Sequence, residues 1–391
     1  MPDSVVRSSA KYISTPAALT TALAEWALAP ALAVDTEANS LHSYTEHPSL
    51  VQISTRQADY IIDPIALPDL SSVAPLFADA AIEKVFHAAE NDILGLKRDF
   101  GFEVHGIFDT MLGSRILGMP RVGLADLLQE AFGVTLDKRM QRYDWGTRPL
   151  DPAALAYAAE DTHYLLPLRD KLAEALVAAD RWEEARQEFE RLGRVSPTPR
   201  TFDTEAFWRV KGMYEVSPRE RAIVRELYRF RDEQARAADR PPFKVLSDSI
   251  LIRLAQAQPH TLDEMRRSEI LTPYLLRRYG QGALAAIRAG QTAPIPQRQR
   301  DHDRPDEDTQ ARFEALRAWR KGVGAARGVD PDVVLSNAAL WTLARRAPTT
   351  LEALQALDVM TEYKSRLYGE QILAVLRHPL SGDAHVSRSA T

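Results

Sequence analysis

The feature that most restricts this chain is that its C-terminal part is written twice. At a fixed offset of 89 residues and without a gap, Leu227 aligns with Leu316, Arg231 with Arg320, Pro242 with Pro331, Leu246-Ser247 with Leu335-Ser336, Pro259 with Pro348 and Thr261-Leu262 with Thr350-Leu351. Arg277, Tyr279-Gly280 and Arg288 align in the same way with Arg366, Tyr368-Gly369 and Arg377. Self-similarity of this kind predicts duplicated helical modules of roughly 75 to 80 residues each, at 208–290 and 308–380. Two copies do not make a solenoid, so each is expected to bury a core of its own.

The residues ahead of the repeat read differently. Apolar extended runs at Ala31–Val34, Leu50–Ser54, Tyr60–Ile62 and Lys84–His87 predict strands, and helical spacing over Asn91–Phe100 and Val122–Phe132 is closed by Gly101 and Gly133 as C-terminal stops. Three strands before the first convincing helix predict a mixed sheet that opens with an antiparallel meander. Asp151-Pro152 starts a further helix, Asp as cap and Pro at the first helical position, whose pattern runs through Leu155, Ala158, Leu165 and Leu168. The proline-containing stretches from Gly193 to Thr204 and from Gln291 to Asp308 read as linkers. The predicted organisation is an α/β domain over 1–192, a linker over 193–207, helical domains over 208–290 and 308–380 separated by a linker over 291–307, and a disordered tail over 381–391. A length of 391 residues suits two or three domains.

The net charge of -5 is unevenly divided. Residues 1–200 carry 19 Lys/Arg against 29 Asp/Glu, whereas 201–290 carry 16 against 12 and 308–380 carry 10 against 8. The helical modules are thus mildly basic, as phosphate contact or an ordinary solvated surface would both allow. No apolar run approaches the roughly 18 to 20 residues of a bilayer span and no signal peptide is evident, so the expectation is a cytoplasmic protein with no membrane contact. With no cysteine, disulfides, thiolate zinc sites and cysteine nucleophiles are excluded. Any metal must be held by oxygen or imidazole, and carboxylates favour hard cations such as Mg²⁺ or Mn²⁺.

Three short motifs carry the chemistry. Asp35-Thr36-Glu37 ends an apolar strand, and alternation puts the two carboxylates on one side, where they repel unless a cation lies between them. Asn91-Asp92 opens the helix after the strand at Lys84–His87. Tyr157 and Asp161, four residues apart on the helix begun at Asp151, lie side by side. A phenol is a poor base at neutral pH but a good partner for a water whose proton loss a metal drives. Each motif alone also suits a turn, a helix cap or chance spacing. His87 suits a core role and is left out of the candidate site.

In order and within one α/β domain, the three motifs resemble those of the DEDD exonuclease superfamily, in the subclass with tyrosine in the last motif. The resemblance extends to Val34-Asp35-Thr36-Glu37, Leu50-Val51-Gln52-Ile53, Phe86-His87-Ala88, Phe108-Asp109-Thr110, Asp144-Trp145, Arg148-Pro149-Leu150 and Tyr157 to Asp161 followed by Thr162-His163-Tyr164-Leu165-Leu166. These look like the ribonuclease D family, and the duplicated module looks like two HRDC domains, its helical nucleic-acid-binding modules. Ala38 departs from the pattern, standing where many relatives carry an aromatic residue. Asp161-Thr162-His163-Tyr164 also looks like the eukaryotic exosome-associated relatives, but those typically carry one HRDC domain, so the duplication favours the bacterial type.

The resemblance implies a ribonuclease H-like mixed sheet flanked by helices, followed by two small all-α domains, and 3′ to 5′ hydrolysis of RNA to nucleoside 5′-monophosphates. It implies two divalent ions, Mg²⁺ or Mn²⁺. Asp35, Glu37 and Asp161 would hold one ion, Asp35 would bridge to the second, Asp92 would support it directly or through water, and Tyr157 would position the attacking water. The expected partner is RNA with a free 3′ end, with precursors of tRNA the family expectation, and no nucleotide cofactor. Arg139, Arg142, Trp145 and Arg148 are the candidates for gripping backbone phosphates and stacking a base; a charged loop with Trp145 in the core fits them equally. Asp109 is placed near the site but not as a ligand. Two rivals stand beside this reading: a DNA exonuclease on the same site, and an inactive RNA-binding adaptor, against which the complete acid set argues. A helicase is excluded by the lack of a G-x-x-x-x-G-K-[ST] loop.

Overall fold

The computed structural model describes residues 10–137, 139–140, 143–198, 201–298 and 305–378; the predicted tail lies outside them. Six strands form one sheet: β1 (Lys11–Ile13), β2 (Ala31–Ala38), β3 (Pro48–Ser54), β4 (Asp59–Ile62), β5 (Glu83–Phe86) and β6 (Ile107–Asp109), in the order β1-β4-β3-β2-β5-β6. β3 and β4 run antiparallel, while β1 with β4, β2 with β5 and β5 with β6 run parallel. The sheet is mixed, as expected, and flanked by helices.

One part of the expected opening is corrected. A helix, α1 (Pro16–Trp26), already precedes β2, and β1 precedes it in turn. Thr15 caps α1 by accepting from Ala18 N–H, and Pro16 holds its first position. That is the same cap-and-proline signal found at Asp151-Pro152, but the small, alanine-rich helix offers little apolar periodicity to announce it.

The remaining helices of the α/β part are α2 (Ala74–Ala78), α3 (Glu90–Phe100), α4 (Thr110–Leu117), α5 (Leu124–Phe132), α6 (Pro152–His163), α7 (Leu165–Ala178) and α8 (Trp182–Leu192). Gly101 and Gly133 end α3 and α5 with φ of 67° and 69°, a left-handed conformation that costs glycine nothing. The single helix expected from Asp151 through Leu168 is two: Tyr164, at φ -98° and ψ 0°, separates α6 from α7.

The repeat folds alike in both copies. α9 (Pro218–Ala237), α10 (Pro242–Val245), α11 (Asp248–Ala257), α12 (Leu262–Arg267) and α13 (Pro273–Thr292) recur as α14 (Glu307–Arg327), α15 (Pro331–Val334), α16 (Asn337–Arg346), α17 (Leu351–Gln355) and α18 (Glu362–Arg377). Ser247 and Ser336, Thr261 and Thr350, and Thr272 and Thr361 cap matching helices. Buried Arg231 donates to Leu246 O (3.2 Å) and Asp248 Oδ1 (2.7 Å); buried Arg320 donates to Leu335 O (2.7 Å) and Asn337 Oδ1 (2.8 Å).

The chain divides into two compact units. One joins the α/β part to the second module. The other joins the first module to the segment Ala38–His47. In the first unit a single apolar cluster runs from Leu32, Val85 and Phe108 through α7 and α8 to Leu316, Val334, Leu340 and Tyr368. The interior of the second module is therefore continuous with that of the α/β part, and Arg327 with Glu184, Lys364 with Glu188 and Arg115 with Asp332 form ion pairs at the edge of that shared cluster. The first module closes its core alone, around Phe207, Leu227, Leu251, Tyr279 and Ile287. No helix among the described residues is long and apolar enough to cross a membrane.

Candidate metal centre

β2 is apolar where it crosses the sheet, with Leu32, Ala33 and Val34 fully buried, and turns acidic at its end. Its two faces follow from register. Ala33 lies beside Val85 and Val85 beside Phe108, whose ring packs on Trp182 and Phe189 of α8. Two-residue alternation then turns Ala33, Asp35 and Glu37 toward α8's face and Leu32, Val34 and Thr36 toward the other.

α6 crosses the first of these faces over β3 and β4. Leu50 and Ile61 pack on Ala154 and Ala158 of α6, and Ser54 Oγ meets Thr162 Oγ1 at 2.7 Å. Asp59 anchors the end of the helix, accepting from Ser54 Oγ at 2.7 Å and sharing a 2.8 Å contact with His163 Nδ1. Held this way, α6 brings Asp161 to the end of β2. Ligand oxygens of Asp35, Glu37 and Asp161 all lie within 4.8 Å of one another.

Asp92 approaches from α3. Its Oδ1 accepts from Thr36 N–H at 3.0 Å and Thr36 Oγ1 at 2.5 Å, so the residue between the two β2 acids holds the fourth acid on the opposite face. Asp92 is not within the three-carboxylate group itself. Sequence reasoning passed over Thr36, although it lies inside the first motif. Asp109 organises the approach: it accepts from Ala88 and Ala89 N–H at 3.2 and 2.7 Å just before α3, and from Leu112 N–H at 2.9 Å at the start of α4. It orients the loop that carries Asp92. His87 shares a 2.9 Å hydrogen bond with Thr110 Oγ1, and burial holds its pKa below the ordinary value.

The electrostatics are those of crowded, desolvated acids. Burial, then repulsion from Asp92, Asp161 and Glu37, pushes Asp35 well above the carboxylate range. Burial, then Asp161 and Asp92, pushes Glu37 up to about 8. Asp161 and Asp92 are raised by burial as well; the Thr36 hydrogen bonds oppose the rise at Asp92. No lysine or arginine among the described residues pairs with any of the four. An uncompensated set of hard oxygen donors at this spacing fits a divalent cation such as Mg²⁺ or Mn²⁺.

Tyr157, one turn before Asp161 on α6, is half-buried. Desolvation and the charges of Asp161, Glu37 and Asp35 raise its phenol further above its usual value. Its ring stacks on Trp145 with centroids 6.2 Å apart.

The expected substrate grip is corrected in two places. Trp145 is 2 % exposed and packs between Tyr157 and Tyr143, so it offers no face to a base. Arg148 is engaged within the fold: its guanidinium meets Asp63 through Nε–Oδ2 at 2.7 Å and Nη2–Oδ1 at 2.8 Å, and donates to the carbonyls of Ser49, Trp145 and Thr147. A buried carboxylate took the arginine intended for phosphate. Arg139 is exposed and paired with Asp137, two residues earlier. Arg142 lies outside the described residues.

Residues 10–177 match a family model described as a 3′-5′ exonuclease, and residues 220–287 and 309–376 each match the HRDC domain. The chain is 32% identical over 290 residues to ribonuclease D of Shewanella sp. (strain ANA-3), covering 73% of this chain and 74% of that protein. It is 34% identical over 243 residues to the exosome complex exonuclease RRP6 of Saccharomyces cerevisiae, covering 58% of this chain but 33% of the relative, so it spans about a third of that protein's length. Among solved structures, Escherichia coli RNase D, an exoribonuclease involved in structured RNA processing, superposes with a TM-score of 0.66 at 25% identity, over 96% of this chain and 99% of that one.

Proposed function

The chain belongs to the ribonuclease D family, and from that premise we propose that it is a metal-dependent 3′-5′ exoribonuclease that releases nucleoside 5′-monophosphates from structured RNA. The observation that carries the proposal is the convergence of Asp35, Glu37 and Asp161 within 4.8 Å of one another, with no lysine or arginine paired to them among the described residues. In this reading Asp35, Glu37 and Asp161 would hold one divalent ion, and Asp35 with Asp92, directly or through water, would support a second. Bound, such a pair lowers the pKa of an attacking water and stabilises the charge on the leaving oxygen of an in-line displacement.

The chain's own residues define the rest. Thr36 fixes Asp92 of α3 against the end of β2, so the fourth acid keeps its place when the others are drawn together. Tyr157, protonated throughout the neutral range because its pKa is raised, orients the water by hydrogen bonding and does not take its proton. Of the basic candidates, Arg139 keeps an exposed position among the described residues and retains the role of phosphate contact. Precursors of tRNA are the expected substrates, supported by the RNA-processing role of the Escherichia coli neighbour. A cytoplasmic location belongs to the same proposal, supported by the bacterial relatives.

The test is to incubate the chain with Mg²⁺ or Mn²⁺ on 3′-extended structured RNA and on matched single-stranded DNA, beside an Asp161→Ala variant. The wild type should release 5′-mononucleotides from RNA, and the variant should lose at least about a hundredfold in rate, as expected when a metal ligand or its support is removed. Equal activity in the variant would remove the site assignment, and preference for DNA would make the chain a DNA exonuclease on the same site. Tyr157→Phe should slow the reaction while leaving Mn²⁺ affinity within about twofold, since the phenol contributes through hydrogen bonding in the reacting complex.

A further inference from the structure

Gln52 lies in the middle of β3 with no solvent exposure, and neither Nε2 nor Oε1 has a hydrogen-bond partner among the described residues. An amide buried in that condition lowers stability and calls for a reason. Its position supplies one. Gln52 stands between Leu50 and Ser54, two residues from each, so all three face the same side of β3. Leu50 packs on Ala154 and Ala158 of α6, and Ser54 bonds Thr162 of α6. Ile61, beside Gln52 in β4, joins the same cluster. Gln52 is therefore covered by the stretch of α6 that carries Ala158, Asp161 and Thr162. β2, next to β3 in the sheet, presents Asp35 and Glu37 toward Asp161 on that face. A buried amide without a partner among the described residues thus forms part of the floor beneath the acid cluster.

We propose that Gln52 is a positioning residue of this centre: its amide N–H groups hold the carboxylates of Asp35 and Asp161 in ligating orientation once a divalent cation draws them together. The proposal rests on the metal-centre reading above. The chemistry is one-sided. Ionised carboxylates accept hydrogen bonds and donate none, so a floor beneath them must present a donor, and the glutamine amide carries two. Without a cation the raised acids hold protons and the amide has no partner among the described residues; with one bound, the ionised carboxylates of Asp35 and Asp161 would each have an oxygen to spare for Nε2. Groups that orient ligands in this way typically change metal affinity 10- to 100-fold when removed.

Gln52→Met removes both polar atoms at nearly constant bulk, and Gln52→Leu is the second variant. Two quantities are read on the metal-free full chain: its melting temperature, and its Mn²⁺ affinity by titration calorimetry. The expected result is a melting temperature equal to or above that of the wild type, together with Mn²⁺ binding weakened roughly 10-fold or more. A merely structural glutamine would give the reverse. Variants that bind Mn²⁺ within about twofold of the wild type, or that melt well below it without metal, overturn the proposal. A wild type that binds no Mn²⁺ overturns the metal-centre reading itself and this proposal with it.

Discussion

The two copies of the repeat share their interiors and differ at their surfaces. Arg231 and Arg320 tie the long first helix of each copy to the turn before the third, and Gln258 and Ala347 adopt the same left-handed conformation with φ of 45° and 42°. At the outer positions the correspondence ends. The second copy carries Arg327, Asp332 and Lys364, whose counterparts in the first are Ala238, Phe243 and Leu275, while Tyr363 and Tyr274 are the same residue in different surroundings. Arg327 forms a bidentate pair with Glu184, which is fully buried; Lys364 Nζ lies 2.8 Å from Glu188 Oε1; and Gln187 Oε1 accepts from Tyr363 N–H at 2.8 Å. Phe243 and Tyr274 are exposed instead. The first copy takes a different neighbour: Tyr44 Oη donates to Asp232 at 2.7 Å and Tyr44 N–H to Asp239 at 3.0 Å, positions held by Lys321 and Gly328 in the second. Duplication preserved how each copy is built and let a handful of side chains choose what it packs against.

The contrast can be broken most forcefully at Arg327. Arg327→Met leaves Glu184 buried and unpaired, and should destabilise the unit of the α/β part and second copy by about 3 to 5 kcal/mol. Thermal melting would read the loss, with hydrogen exchange placing it in α8 and α14. A drop below about 1 kcal/mol would mean that the pair does not fasten the second copy.

The next effect is electrostatic and also separates the units, because the raised carboxyls belong to one of them. Unfolded, these acids titrate near pH 4; folded, Glu37 holds its proton to about pH 8. Between those values the unfolded chain gives up protons the folded chain retains, so the metal-free protein should lose stability as pH rises, by on the order of a few kcal/mol. Melting of metal-free protein between pH 5 and pH 8 reads this directly, and Mg²⁺ should restore stability more at pH 8 than at pH 5. A metal-free melting curve indifferent to pH would deny the crowding of the four acids.

The smallest effect is expected on the other side of the comparison. Tyr44→Phe removes one bond to Asp232 and should cost the first copy about 1 kcal/mol, leaving exchange in α14–α18 unchanged. Propagation into the second copy would show that the two modules are not independent in the way their cores suggest.

What the sequence disclosed follows the range of the interactions involved. Strand alternation, the i to i+4 pair on α6, the caps at Asp151, Gly101 and Gly133, and the repeat are local or self-referential, and all were legible. Arg148 was not, because an arginine in a charged loop looks the same whether its partner is a phosphate or Asp63, 85 positions away. Trp145 likewise became a wall of the fold only once α6 brought Tyr157 against it. The docking of the second copy depends on Glu184, Glu188 and Asp332 meeting residues far along the chain, and nothing in the repeat announced that its two halves would be used differently.

β2 is a two-sided ruler. Asp35 and Glu37 are marked on one side and Thr36, the clamp of Asp92, on the other. Single substitutions erase one mark at a time, but an insertion or deletion within residues 31–37 would exchange the sides, turning the clamp toward α6 and the acids toward α3. Over evolutionary time this stretch can therefore change its letters far more easily than its length.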